Sequence, residues 1–334
     1  TEPHGGSGDF LMRRILIIKS SSMGDVVHAL PVAYDIKQAL PDARIDWVVE
    51  EAFADIVELS PWIDGKIVTA FRRWRKHPLS AETRAEVARV KKALRENRYD
   101  LVIDLQGLVR SALVARWCGV KSVGYSRDTI REPLASFFYT ETKRVPESLT
   151  PVKRYRTMAS VCLGYDIDAD HPIYGLKAKP LATRPAEGDY AVMAVNTSRE
   201  EKLWARDRWI QTTQTLVKAG ITPVFVWGSA AEEERVRTLA DLVPGTVVAP
   251  HMTLPEIASV LKASVGLIGV DTGISHLAAA LAVPAVGIIV GTSAQLFRLV
   301  GEGACTTVGD KGVVPTSSEV LTAFASVTGI KVTP

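Results

Sequence analysis

Ile15-Leu16-Ile17-Ile18-Lys19-Ser20-Ser21-Ser22-Met23-Gly24-Asp25-Val26-Val27-His28 is the stretch that decides the fold. Its first four residues form an apolar run of strand length. A polar loop follows, and from Val26 apolar residues return at helical spacing. A carboxylate therefore stands where a strand gives way to a helix. In open α/β sheets ligands bind outside the carboxyl ends of the strands, which places Asp25 to meet one. Spacing alone leaves a second reading open, in which Asp25 only N-caps a helix beginning at Val26.

The alternation continues outward. Residues 45–49 read as a second strand after the Pro41-Asp42 turn, 66–69 as a third and 101–104 as a buried fourth. Residues 81–96 fit a helix with Val87, Val90 and Leu94 on one side. Leu105-Gln106-Gly107 turns into another helix at 110–117. Such βαβ alternation implies a parallel sheet covered on both faces. After a helix at about 152–163 come Asp166-Ile167-Asp168-Ala169-Asp170-His171-Pro172, Pro180 and Pro185, the expected domain junction. The second half resumes with strands at 190–195, 222–227 and 265–270. The expected division is an N-terminal domain over 12–170, a second domain over 171–316, and a helix within 317–334 crossing back onto the first domain. The absence of Gly-x-Gly-x-x-Gly argues against an NAD fold.

A chain of 334 residues suits two domains, and 47% hydrophobic with 23% charged residues is the profile of a soluble globular protein. The apolar run 277–290 contains Pro284 and Gly287 and is too short and broken to span a bilayer; it reads as a helix end followed by a buried strand. Cys118, Cys162 and Cys305 lie far apart and fit neither a disulfide framework nor a zinc site, as suits a reducing cytosol. Residues 1–11 read as a flexible extension without function before a start at Met12. The net charge of +3 conceals an asymmetry: from Lys66 to Arg156 there are 21 Lys and Arg against 9 Asp and Glu. Such a region suits nucleic acid, a phospholipid surface or an acidic glycolipid, unless its charges are only solvated helix faces.

Candidate binding residues collect in the loops after the strands. Phe71-Arg72-Arg73-Trp74-Arg75-Lys76-His77-Pro78 offers Arg72, Arg73 and Arg75 as clamps for carboxylate or phosphate. Asn196-Thr197-Ser198-Arg199-Glu200-Glu201-Lys202-Leu203-Trp204 offers hydroxyls and an ammonium to a diphosphate, or is a plain polar loop. Gly228-Ser229 precedes Glu232-Glu233-Glu234, one of which can reach ribose hydroxyls while the others favour a helix start. In Val265-Gly266-Leu267-Ile268-Gly269-Val270-Asp271-Thr272-Gly273-Ile274-Ser275-His276-Leu277 a strand ends and a helix begins near Gly273, a ready site for a diphosphate. Asp271 is otherwise a cap and His276 a core residue. Met252 and Leu254 either line an adenine site or are plain core. Asp166, Asp168 and Asp170 mimic a metal motif but lie in a Pro-bounded connection, so no metal is expected.

Three stretches resemble the lipopolysaccharide heptosyltransferases, glycosyltransferase family nine, and the resemblance runs from Met12 to about Gly329. Ser21-Ser22-Met23-Gly24-Asp25-Val26-Val27-His28 resembles their N-terminal signature. Arg131-Glu132-Pro133-Leu134-Ala135-Ser136-Phe137-Phe138-Tyr139 is similar to type I members, and Val270-Asp271-Thr272-Gly273-Ile274-Ser275-His276-Leu277 to the donor-site signature. The resemblance implies an α/β fold of GT-B architecture, two Rossmann-like domains facing across a cleft. It implies metal-independent, inverting transfer of heptose from ADP-L-glycero-β-D-manno-heptose to the Kdo region of Kdo2-lipid A, with Asp25 as catalytic base. Thr197, Ser198, Lys202, Glu232, Met252, Asp271, Thr272, Gly273 and His276 would serve the donor. Ser22, Gly24, Arg72, Arg73, Arg75, Gln106 and Arg131 would lie on the acceptor side. No cofactor and no nucleic acid are implied, and the expected location is peripheral, on the cytoplasmic face of the inner membrane. Family members often carry a Gly-Pro-Thr-Asp-Pro type loop one strand later; Gly291-Thr292-Ser293-Ala294 lacks the Pro and Asp, so only Thr292 carries over. Two other readings stay open: a related transferase such as heptosyltransferase II, with a different acceptor, and a silent protein that binds nucleotide sugar without turnover.

Overall fold

The computed structural model describes residues 14–332; the expectations for residues 1–11 and for a start at Met12 lie outside them. The first half of the chain runs β1 (Arg14–Ile18), α1 (Met23–Ala29), α2 (Pro31–Ala39), β2 (Arg44–Glu50), α3 (Ala54–Val57), β3 (Gly65–Thr69), α4 (Phe71–Trp74), α5 (Ala81–Glu96), β4 (Leu101–Asp104), α6 (Val109–Trp117), β5 (Ser122–Tyr125), β6 (Glu141–Lys143) and α7 (Pro151–Leu163). The second half runs β7 (Tyr190–Ala194), α8 (Arg206–Lys218), β8 (Thr222–Phe225), α9 (Ala230–Leu242), β9 (Val247–Val248), α10 (Leu254–Lys262), β10 (Gly266–Val270), α11 (Gly273–Ala280), β11 (Ala285–Ile288), α12 (Ala294–Phe297), β12 (Cys305–Val308) and α13 (Ser317–Thr328).

Each half forms a parallel six-stranded sheet with the same winding. The orders are β3-β2-β1-β4-β5-β6 and β12-β11-β10-β7-β8-β9, so the first strand of each half lies beside its fourth. The order reverses there, the loops diverge, and a crevice opens at the carboxyl ends of the strands. The segments that follow β1, β4, β7 and β10 therefore carry the site. β1 and β10 sit in mid-sheet; Ile15 to Ile18 and Leu267, Ile268 and Val270 are buried, as strands covered on both faces require. α5 buries Thr83, Val90 and Leu94 and exposes its charged remainder. Leu277 to Val290 resolves into the end of α11 and then β11, as read from its Pro and Gly.

Three expectations are corrected. α1 begins at Met23, three residues before Val26, because Ser22 takes the N-cap position and the Asp25 carboxylate, three residues on, accepts its N–H. β5, β6, β9 and β12 carry too little apolar signal to stand out; β6 and β9 are edge strands of four residues or fewer. α13 does not cross back as its main packing: Val320, Leu321 and Phe324 join the core of the second half, against β10, β11, β12 and α8. These three side chains form one apolar stripe, and the nearest bare sheet face is the one the chain has just completed.

The join between the halves, residues 164–189, holds no helix or strand. The N–H groups of Tyr174 and Gly175 donate to Glu302 Oε1 (2.5 and 2.7 Å), and Lys177 N–H donates to the Leu59 carbonyl (2.8 Å), so the segment is fixed to both halves. Asp168 binds His171, and Asp170 pairs with Lys153. α7 is bolted to α2 by Arg156, whose Nε and Nη2 donate to Asp35 at 2.7 and 3.0 Å with both side chains buried. Removing one member of such a pair costs about 3–5 kcal/mol.

Candidate active site

Asp25 is the third residue of α1, and its carboxylate is held on both oxygens. Oδ2 accepts the Ser22 N–H at 3.1 Å and the Ser22 hydroxyl at 2.8 Å, so the capping function is present and uses one oxygen. Oδ1 accepts the Tyr155 hydroxyl from α7 at 2.8 Å and lies 3.8 Å from Lys19 Nζ. The side chain is nevertheless 33% exposed. Burial opposes its charge, but Lys19 and the hydrogen bonds from the Tyr155 hydroxyl and Ser22 outweigh it and hold the carboxyl well below the usual range. Asp25 is therefore an anion that faces the cleft at neutral pH.

The other wall is built on the loop after β10. Asp271 Oδ2 accepts Lys202 Nζ and the Thr292 hydroxyl, each at 2.8 Å, while Oδ1 lies 3.3 Å from His276 Nε2. Thr197, after β7, donates its hydroxyl to the Asp271 carbonyl at 3.2 Å. Burial again opposes ionisation, and His276 and Lys202 overcome it. Asp271 thus fixes an ammonium beside the N-terminus of α11, where helix N–H groups and dipole favour an anion. Glu232 gives one oxygen to the Gly228 N–H (2.8 Å), leaving the other for a sugar hydroxyl. A second cavity of ≈ 210 Å³, sharing Met23, Glu232 and Thr272 with the first, is lined by Val226, Trp227, Met252, Leu254, Ile257 and Ile274. Trp227 donates its indole N–H to the Ala249 carbonyl at 2.7 Å, which fixes the plane of its ring. An apolar slot of this kind accepts a flat heterocycle.

The two walls meet where α1 packs against the first turn of α11. His28 Nε2 lies 3.0 Å from His276 Nδ1. A Cβ on Gly24 would stand 3.3 Å from His276 Cδ2, and one on Gly273 only 2.5 Å from Met23 Cγ. The close approach of the two helices thus requires glycine at 273 and leaves little room for a side chain at 24.

A cleft of ≈ 380 Å³ between these walls brings together Ser22, Gly24, Asp25 and Arg72 with Thr197, Ser198, Lys202, Glu232, Asp271, Thr272, Gly273 and His276. Met252 and Leu254 line the adjoining slot. Four expected acceptor residues are not in the cleft lining. Arg73 binds Glu51 at 3.0 Å and Glu86 at 3.0 Å, a structural tie between β2's end and α5 that corrects its assignment as a clamp. The Gln106 amide oxygen accepts the Ser20 and Ser21 N–H groups (3.0 and 3.1 Å) and so holds the loop after β1 rather than a ligand. Arg75 and Arg131 are exposed outside the lining. The cleft also holds residues that sequence reading did not assign: Met23, His28, Phe53 and Phe297. His28 stands one turn after Asp25 on α1, a spacing visible within the quoted motif.

The profile of Glycosyltransferase family 9 (heptosyltransferase) matches residues 87–319. Lipopolysaccharide heptosyltransferase 1 of Escherichia coli (strain K12) is 41% identical over 271 residues, which cover 80% of this chain and 85% of the relative. The solved structure of E. coli heptosyltransferase WaaC with ADP superposes with a TM-score of 0.85 at 36% identity, over 92% of this chain and 97% of that one. The same enzyme with ADP-2-deoxy-2-fluoro heptose gives 0.79 at 36% identity, over 90% and 94%. Among the described residues no helix is long and apolar enough to cross a membrane.

Proposed function

The chain belongs to glycosyltransferase family 9, the heptosyltransferases, and from that premise we propose that it moves L-glycero-D-manno-heptose from ADP-heptose to the Kdo region of Kdo2-lipid A. The observation that carries this reading is the opposition, across one cleft, of the ionised Asp25 and the Lys202 ammonium beside the α11 N-terminus. The first suits an acceptor hydroxyl; the second suits a diphosphate.

Transfer then needs little motion of charge. As the acceptor oxygen attacks the anomeric carbon, Asp25 takes its proton while positive charge develops on the sugar. The bond to ADP breaks on the opposite face, so the product is inverted. Charge growing on the diphosphate is met by Lys202, the Ser198 hydroxyl, the N–H groups that open α11, and the Thr197 hydroxyl once it turns from the Asp271 carbonyl. Those groups supply the counter-charge, so turnover is expected to survive EDTA. Adenine occupies the Trp227–Met252 slot and Glu232 takes the ribose. Arg72 meets the acidic sugar, and the basic first domain rests against the anionic face of the inner membrane without crossing it.

The test is release of ADP from ADP-heptose in the presence of Kdo2-lipid A. ADP formed no faster than by hydrolysis of the donor alone would overturn the reading in favour of a silent sugar-nucleotide binder. Turnover only with an already heptosylated acceptor would move the chain to a later transfer.

A further inference from the structure

We propose that Tyr155 is the positioning residue for Asp25, and that it selects the oxygen, Oδ1, on which the acceptor proton arrives. The proposal rests on the reading of Asp25 as the base. A carboxylate offers about four lone-pair directions, two on each oxygen. The Ser22 N–H and hydroxyl take both on Oδ2. The Tyr155 hydroxyl takes one on Oδ1, and Lys19, at 3.8 Å, is beyond hydrogen-bond length from the remaining one. One direction on Oδ1 is left for a substrate hydroxyl.

Tyr155 is itself held firmly. It is buried, its ring lies 4.5 Å below the Lys19 ammonium, and its neighbour Arg156 carries the bidentate bond to Asp35 that fixes α7. The carboxylate is therefore gripped from the β1 loop on one side and from α7, 130 residues away in sequence, on the other. Burial and the charge of Asp25 push the Tyr155 hydroxyl far above its ordinary range, so it stays a donor and does not compete for the proton. In the step itself the acceptor O–H bond breaks and its proton passes to Oδ1. The freed electron pair forms the new bond to the anomeric carbon, and the pair of the breaking C–O bond leaves with ADP.

The experiment is a double-mutant cycle of Tyr155→Phe and Asp25→Asn, with kcat, ADP-heptose affinity by calorimetry and Tm measured for each. Tyr155→Phe keeps the ring beneath Lys19 and loses only the hydroxyl. It should lower kcat about tenfold or more, as loss of a hydrogen bond to a charged group does, with donor affinity unchanged. Asp25→Asn should lower kcat at least about a hundredfold. The double variant should be no slower than Asp25→Asn alone, which a merely structural Tyr155 would not produce. A normal kcat in Tyr155→Phe, or losses that multiply in the double variant, would overturn the positioning role and leave the base assignment standing. Near-normal turnover in Asp25→Asn would overturn both.

Discussion

His28, on the first domain's α1, and His276, on the second domain's α11, share a buried hydrogen bond of 3.0 Å that crosses the cleft floor. The ionised Asp271 takes the N–H at His276 Nε2, so His28 donates from Nε2 into His276 Nδ1 and its own Nδ1 is left as a bare lone pair. The opposite tautomer would bury an unpaired N–H, the costlier arrangement.

Burial, and next to it the His276 ring, push the His28 pKa below its ordinary value near 6.5. The unfolded chain therefore takes up a proton on falling pH that the folded chain refuses. Stability is unaffected by His28 above neutrality and declines as pH falls below about 6.5, by about 2 kcal/mol at pH 5. His28→Gln keeps a polar side chain and cannot titrate, so the fall in Tm between pH 7 and 5 should be shallower in the variant. Equal slopes would show that His28 is not neutral in the fold.

Lys202→Ala removes the ammonium proposed to meet the diphosphate and leaves the Asp271 carboxylate with only Thr292 and His276. Transition-state stabilisation should fall by about 2–3 kcal/mol, seen as a loss of at least about thirtyfold in donor kcat/KM. Unchanged efficiency in a folded variant would remove Lys202 from the site.

Neighbouring arginines should behave differently. Arg72 lines the cleft on a short helix whose first N–H groups, those of Phe71 and Arg72, are taken by the buried Glu50. Arg72→Ala should raise the acceptor KM several-fold, with the wild-type advantage shrinking in salt. Arg73→Ala should leave both KM values alone and lower Tm slightly, because its partners are Glu51 and Glu86. A matching acceptor defect in both variants would contradict this division.

Gly273→Ala places a methyl group 2.5 Å from Met23 Cγ and 2.8 Å from Met23 Cβ, too close for a side-chain rotation to relieve. The two helices must separate, and donor kcat/KM should fall by about tenfold or more, since a misplacement of about 1 Å can cost on the order of a hundredfold. Adding Met23→Gly, which removes the Cβ as well as the atoms beyond it, should restore much of the loss. No restoration would locate the fault in the phosphate contacts of Gly273 instead.

The sequence discloses those parts of the site that are local. β1, β7 and β10 are apolar runs with a polar break behind them, and Asp25, Lys202 and Asp271 sit in or beside those breaks. What it conceals depends on partners brought from elsewhere. Arg72 and Arg73 are adjacent and alike; only Glu51 and Glu86, from β2's end and α5, decide which of them is unavailable. Tyr155 reads as one more face of a helix until α7 is docked on α1. α13 shows a clear apolar stripe, and a stripe does not say which sheet it will cover.

The join at residues 164–189 has a practical consequence. Tyr174 and Gly175 are tied to Glu302, Lys177 to Leu59, and residues 182–184 and 187–189 beyond these ties are exposed. Val26 and Val27 meanwhile belong to the same buried core as Leu277 and Ala278. Continuity of the peptide at 182–189 is therefore not what keeps the halves in register. A protease nick in that stretch, where exposed segments are cut first, should yield a two-fragment protein that stays assembled through gel filtration, and on the proposed division of labour separately expressed fragments become a route to exchanging acceptor preference while the second half is kept whole.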